Sequence, residues 1–169
     1  MTHVRNALNG IVADHEACVN LWDQAQKMLP AGGTRITKEV AQTAADHLQP
    51  AFGLLNSVDS KIADATIKAD LIRVASNQPV DEASKLSSLY VAVKKYITAL
   101  QENAGYIKNY FENCQTALLA AVQGDYNEYQ VKMNLINYDN RKIVDSQNLL
   151  NQRISEVEEV ASTLFGESK

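Results

Sequence analysis

From Tyr129 to Leu164, one side of the chain is marked at alternating steps of four and three residues: Tyr129, Met133, Ile136, Asn140, Ile143, Gln147, Leu150, Ile154, Val157, Ala161 and Leu164. A seam sustained for about five heptads predicts a long helix packed on other helices, because a strand repeats every second residue. The same spacing runs through Leu86, Leu89, Val93, Ile97, Leu100, Ala104, Ile107, Phe111, Cys114, Leu118 and Ala121, with one inserted residue. Two further seams precede them. One is Val4, Leu8, Ile11, His15, Cys18, Trp22, Ala25 and Leu29; the other is Ile36, Val40, Ala44, His47, Ala51, Leu54, Val58, Ile62, Ala65, Ala69 and Ile72. Neighbours such as Leu55, Tyr96, Tyr110 and Leu149 widen the stripes beyond a two-stranded coiled coil, as a bundle core requires.

Helix breakers cluster at only three places. Pro30-Ala31-Gly32-Gly33-Thr34 supplies two glycines and a capping threonine, and Asn77-Gln78-Pro79-Val80-Asp81 ends one helix and caps the next at Asp81. At the third, Gly124 suits the residue just past a helix end, while Asp125 and Glu128 read as a capping box. Gly166 closes the last helix. Helices are therefore expected over 2–29, 35–77, 81–123 and 126–165, with a kink at Pro50 that Gly53 eases. The 169 residues form one domain, an all-α, up-down-up-down antiparallel four-helix bundle with long helices. With seven Gly and three Pro, the chain lacks the frequent turns of an all-β fold, and it has no alternation of Val/Ile runs with helices that a parallel sheet needs.

Charge and composition narrow the functional classes. The net charge is −4 and the longest basic clusters are the doublets Lys94-Lys95 and Arg141-Lys142, so the footprint of a nucleic-acid or anionic-lipid binder is missing. No apolar run approaches the roughly 18 residues of a membrane span, and no signal segment opens the chain. A soluble cytoplasmic protein is expected, although an excised extracytoplasmic receptor domain has the same appearance. Cys18 and Cys114, lacking a CxxC, read as buried free thiols.

Side chains able to ligate or react converge at one level. Measured from the Gly-Gly loop at about 1.5 Å per residue, Cys18, His47 and Cys114 fall at similar heights, with His15 and Asn140 about a turn below. His15-x-x-Cys18 with His47 and Cys114 has the composition of a Cys2His2 zinc site, and His15 with His47 that of a bis-histidine haem site. Seam histidines and cysteines serve more often as core and register residues, so no metal and no cofactor is expected. The Glu-x-x-His pairs of di-iron bundles, glycine-elbow serines and phosphate-binding glycine loops are absent. His47, followed by Leu48-Gln49-Pro50 and placed by its spacing on the buried stripe, is not expected to be a phosphotransfer histidine. No catalytic residue is assigned, and the chain is expected not to be an enzyme.

Two softer features point to binding. Aromatic and polar seam residues crowd the half bearing the Gly-Gly and Gly124 turns, and His15, Trp22, His47, Phe52, Tyr110, Phe111, Tyr138 and Asn140 are candidates to line a small-molecule pocket there. The first helix is shorter than the others, so the opposite pole is expected to have three helices and an open apolar groove. Ile67, Leu71, Val74, Tyr90, Val91, Val160 and Phe165 are the candidate interface. The leading expectation is a protein-interaction or scaffolding bundle, partnered by another protein or by a second copy, with no nucleic acid and no membrane insertion. A ligand-sensing bundle is the alternative.

Overall fold

The computed structural model describes residues 1–31, 35–79 and 81–166. Every regular element among them is an α-helix: α1 (Thr2–Gln26), α2 (Lys38–Leu48), α3 (Ala51–Ser76), α4 (Ala83–Val122) and α5 (Tyr126–Phe165). The expected interruption at Pro50 divides α2 from α3. Gln49 and Pro50 both keep right-handed helical angles, and the Phe52 amide bonds the Gln49 carbonyl in a tighter turn across the break. A side chain at Gly53 would meet open space, so no close approach requires glycine beside the break.

The helix ends follow local chemistry, and three differ from expectation. α1 stops at Gln26, because Met28 and Leu29 turn back in tighter bonds to Ala25 and Gln26 ahead of Pro30. Gly32, Gly33 and Thr34 lie outside the described residues, as does Val80. The cap of α2 is Thr37, whose hydroxyl accepts from the Val40 amide at 3.2 Å. α4 begins at Ala83 behind Glu82 with no side-chain cap, so Asp81 does not cap it. Gly124 ends α4 at φ +76, with the Asp125 amide bonded to the Ala120 carbonyl and that of Gly124 to Ala121, a Schellman turn. That bond uses the Asp125 amide, so the capping box is half made. Asp125 accepts from the Glu128 amide, while the Glu128 carboxylate pairs with Lys132.

α1 packs along α3, α3 and α2 along α4, and α4 along α5. Cross-helix bonds fix the levels. The Cys18 thiol faces the Val58 carbonyl, Lys68 pairs with Asp14, and Gln115 bonds Gln49. Asn103 donates to Ser146 and Asn113 to Asp139, so numbers climb on α4 as they fall on α5.

These levels overturn the expected position of the gap. α1 lies beside α3 rather than α2, with Val4 and Ala7 buried and the Arg5 guanidinium over the Phe165 ring at 4.9 Å. The pole near Phe165 is therefore covered by α1. The stretch without a packed first helix lies at the opposite pole, beside the 11 residues of α2, about 16 Å of helix. Two core clusters result. The larger joins α1, α3, α4 and α5, and the smaller joins α2, the start of α3, the end of α4 and the start of α5. Trp22 packs against both.

Candidate functional site

At the pole where α1 gives way to the stretch of residues 27–31 and 35–37, a half-open pocket of about 270 Å³ lies against α4 and α5. Its walls are Leu29, Pro30, Ala31 and Ile36 from that stretch, Tyr110, Cys114, Ala117 and Leu118 from α4, and Tyr129, Met133 and Ile136 from α5. The sequence produces it in two steps. Pro30 ends helical geometry early, so irregular chain stands where a fourth helix would fill space. The neighbouring helices then present small residues: Ala41, Ala45, Ala117 and Ala121 are all buried there.

The eight candidate pocket residues do not gather around this cavity. Tyr110 lines it, and Phe111 lies buried in the same core cluster. Phe52 and Trp22 are half-buried against that cluster. His15 belongs to the other half, its ring 5.5 Å from that of Tyr96. His47, Asn140 and Tyr138 face solvent, Tyr138 with the Lys142 ammonium 5.4 Å from its ring centre. Two register errors explain the misplacement. On α2 the inward stripe is Ala41, Ala45 and Leu48, one residue on from Val40, Ala44 and His47, because alanine allows close approach to Ala117 and Ala121. On α5 the inward polar residues are Asp139 and Ser146 rather than Asn140 and Gln147, since the former meet Asn113 and Asn103 on α4.

His15, Cys18, His47 and Cys114 are not brought together. Cys18 and Cys114 lie in different clusters, and His47 lies outside both. Among the described residues, no three His, Cys, Asp or Glu side chains form a group able to hold a metal. Both thiols are free and buried. Burial, reinforced by Asp14, pushes the Cys18 thiol up to about 11. Burial likewise pushes Cys114 to about 11, with Tyr110 opposing and Asp139 adding. Both remain protonated near neutrality and are poor nucleophiles. Burial also raises the Tyr110 and Tyr96 phenols, and it lowers His15 below its usual 6.5 against the opposing charge of Glu16.

The candidate interface residues divide between two faces. Ile67, Leu71 and Val74 are 66 %, 56 % and 48 % exposed on α3, spaced by four and three residues and pointing away from the core. Val91 and Val160 line a shallow groove between α4 and α5 with Lys95 and Glu156. Tyr90, Val160 and Phe165 are half-buried against the larger core.

Of the cavity lining the candidate pocket residues included only Tyr110, and of the polar core the sequence singled out only Asn103. Leu29, Met133 and Tyr129 were on the seams, but nothing in their spacing showed that α1 would end short of them. The other polar core residues, Asp14, Asp139 and Ser146, sit one position from a seam, where apolar counting passes over them. Comparison with protein-family models, curated proteins and solved structures finds no match to this chain. No helix among the described residues is long and apolar enough to cross a membrane.

Proposed function

We propose that this chain is an up-down-up-down antiparallel four-helix bundle that acts as a non-enzymatic protein-interaction or scaffolding module, self-associating as a two-fold dimer in the cytoplasm. The antiparallel arrangement is supported by the opposed order of the bonds joining Asn103 to Ser146 and Asn113 to Asp139. The interaction reading rests on one observation, the outward stripe of Ile67, Leu71 and Val74 on α3. Scattered apolar residues are ordinary on a protein surface, whereas three on one helical face form a strip that gains from being covered. Lys68, Arg73, Asp64 and Asp70 lie on the same helix, with Lys68 paired to Asp14 and Arg73 to Asp70, so a second copy meets no like-charged field. The net charge of −4 without a basic cluster supports a protein partner over nucleic acid.

Light scattering at micromolar concentration tests this. The expected mass is that of a dimer, reduced to a monomer by Leu71→Glu or Ile67→Glu. Val160→Glu is a poorer probe, because Val160 packs against the core and a charge there also strains the fold. A monomer at all concentrations, unchanged by these substitutions, removes the self-association reading.

A second reading, ligand binding in the half bearing the Gly124 turn, is favoured by the pocket that Leu29, Pro30, Ala31 and Ile36 form with α4 and α5. Bundle cores commonly hold ligands between helices.

A further inference from the structure

We infer that the cavity between Leu29, Tyr110, Leu118, Tyr129 and Met133 is a binding site for a small, uncharged, ring-containing apolar molecule, an inference that rests on the ligand-binding reading and names the class of ligand. Size sets the first limit. A buried apolar cavity of roughly 150 Å³ accommodates benzene. The about 270 Å³ present here, open on one side, leaves room for two fused rings or a ring with a short substituent to be covered by the walls.

Wall chemistry sets the second limit. Leucine, isoleucine, methionine and alanine side chains form most of the surface, and no Asp, Glu, Lys, Arg or His lines it. A carboxylate or ammonium entering this space would lose its hydration with no opposite charge to replace it. The polar features are the phenols of Tyr110 and Tyr129 and the Cys114 thiol, which stays neutral because burial holds it protonated. They suit one hydrogen-bonding group on an otherwise apolar body, and aromatic rings beside them suit a flat, polarisable partner.

The position in the fold supplies a further reason. The space exists because one wall is irregular chain rather than helix, and because Ala117 on α4 occupies a position where a larger residue would fill it. Unfilled apolar volume forfeits dispersion contacts that a molecule of matching size restores. A ligand therefore gains affinity without any rearrangement of α4 or α5.

The test uses the full chain with indole as the neutral probe and 1-naphthoate as the charged one, each titrated while amide NMR shifts are followed. Indole is expected to move the amides of 114–118 and 129–136 at sub-millimolar to millimolar concentration, with 1-naphthoate at least about tenfold weaker. Ala117→Leu is expected to reduce the indole response at least about fivefold by filling the space. Should that variant lose helical circular dichroism, Met133→Trp fills the same space from α5. Indole shifts confined to other residues, or unchanged in a folded filled variant, overturn the site. A charged compound moving the same amides more strongly than indole overturns the ligand class while leaving the ligand-binding reading in place. No response from either probe at these amides overturns the class and the reading together.

Discussion

Beside α1, the core is filled by Ile11, Ile72, Leu89, Leu100 and Leu150, none more than 1 % exposed. Beside α2, much of the equally buried surface is Ala25, Ala41, Ala45, Ala51 and Ala121, and a cavity of about 270 Å³ remains next to them. Both regions use the same α4, whose apolar seam runs through them with only its one-residue insertion. The difference comes from the neighbour. Where a regular helix supplies a side chain at each turn, large residues interdigitate. Where irregular chain passes, helices approach through alanine on one side and leave space on the other. Local continuity of an element thus decides packing density as much as the apolar content of the seam does.

The largest expected contrast comes from truncating one leucine in each region. Leu100→Ala should cost about 3–4 kcal/mol, since its surroundings are closed on all sides, whereas Leu118→Ala, which already borders the cavity, should cost about 2 kcal/mol. Urea unfolding of the two variants measures both. Equal losses would mean that the α2 region is packed as tightly as the α1 region.

Next in size is the ion pair that ties α1 to α3. Asp14 is 7 % exposed and takes its partner from Lys68, whose alkyl chain crosses α1 at Gly10. Lys68→Met leaves a nearly buried carboxylate alone, and with Lys68 itself partly in solvent the loss should be about 1–2 kcal/mol. Adding Asp14→Leu should recover most of it. A double variant less stable than Lys68→Met alone would show that the pair itself, and not the stranded charge, matters.

Smaller effects belong to the caps of the α2 region. Gly124→Ala, at φ +76, should cost about 1 kcal/mol, and Thr37→Ala about 0.5–1 kcal/mol. The loss at Thr37 should show as faster amide exchange in α2 with α3 unchanged. A global loss of the same size would join the two regions into one cooperative unit.

The smallest expected effect is a pH dependence confined to the α1 region. Burial holds His15 below its usual 6.5, so the folded state resists a proton that the unfolded chain accepts. The stabilising contribution is complete above pH 6.5 and is lost as pH falls below it. The thermal midpoint should drop more between pH 7.5 and 5 in the parent than in His15→Phe. Identical slopes would remove His15 as a source.

The seam of α4 was legible because its stripe is broad: of its eleven seam positions all but Ile107 are buried. α2 offered two adjacent stripes, Val40-Ala44-His47 and Ala41-Ala45-Leu48, and hydrophobicity favoured neither. Proximity to Ala117 and Ala121, a tertiary fact, chose between them. His47 therefore left the core, and the expected convergence with Cys18 and Cys114 went with it. The gap was assigned to the wrong pole for a related reason. Heights measured from Gly32-Gly33 assumed that α1 ends where α2 begins, but the pairing of Asp14 with Lys68 sets α1 beside α3. The cavity follows from that shift, so spacing within any single helix could not reveal it.

Native-state hydrogen exchange tests the difference between the two regions most directly, because it measures opening energies helix by helix. Amides of α3 between Val58 and Ile72 and of α4 between Leu89 and Leu100 should exchange only through global unfolding. Amides of α2 between Ala41 and Leu48 should open locally, about 2 kcal/mol or more below that limit, and indole should raise them toward it. Protection of α2 equal to that of α3, with no change on adding indole, would contradict the account.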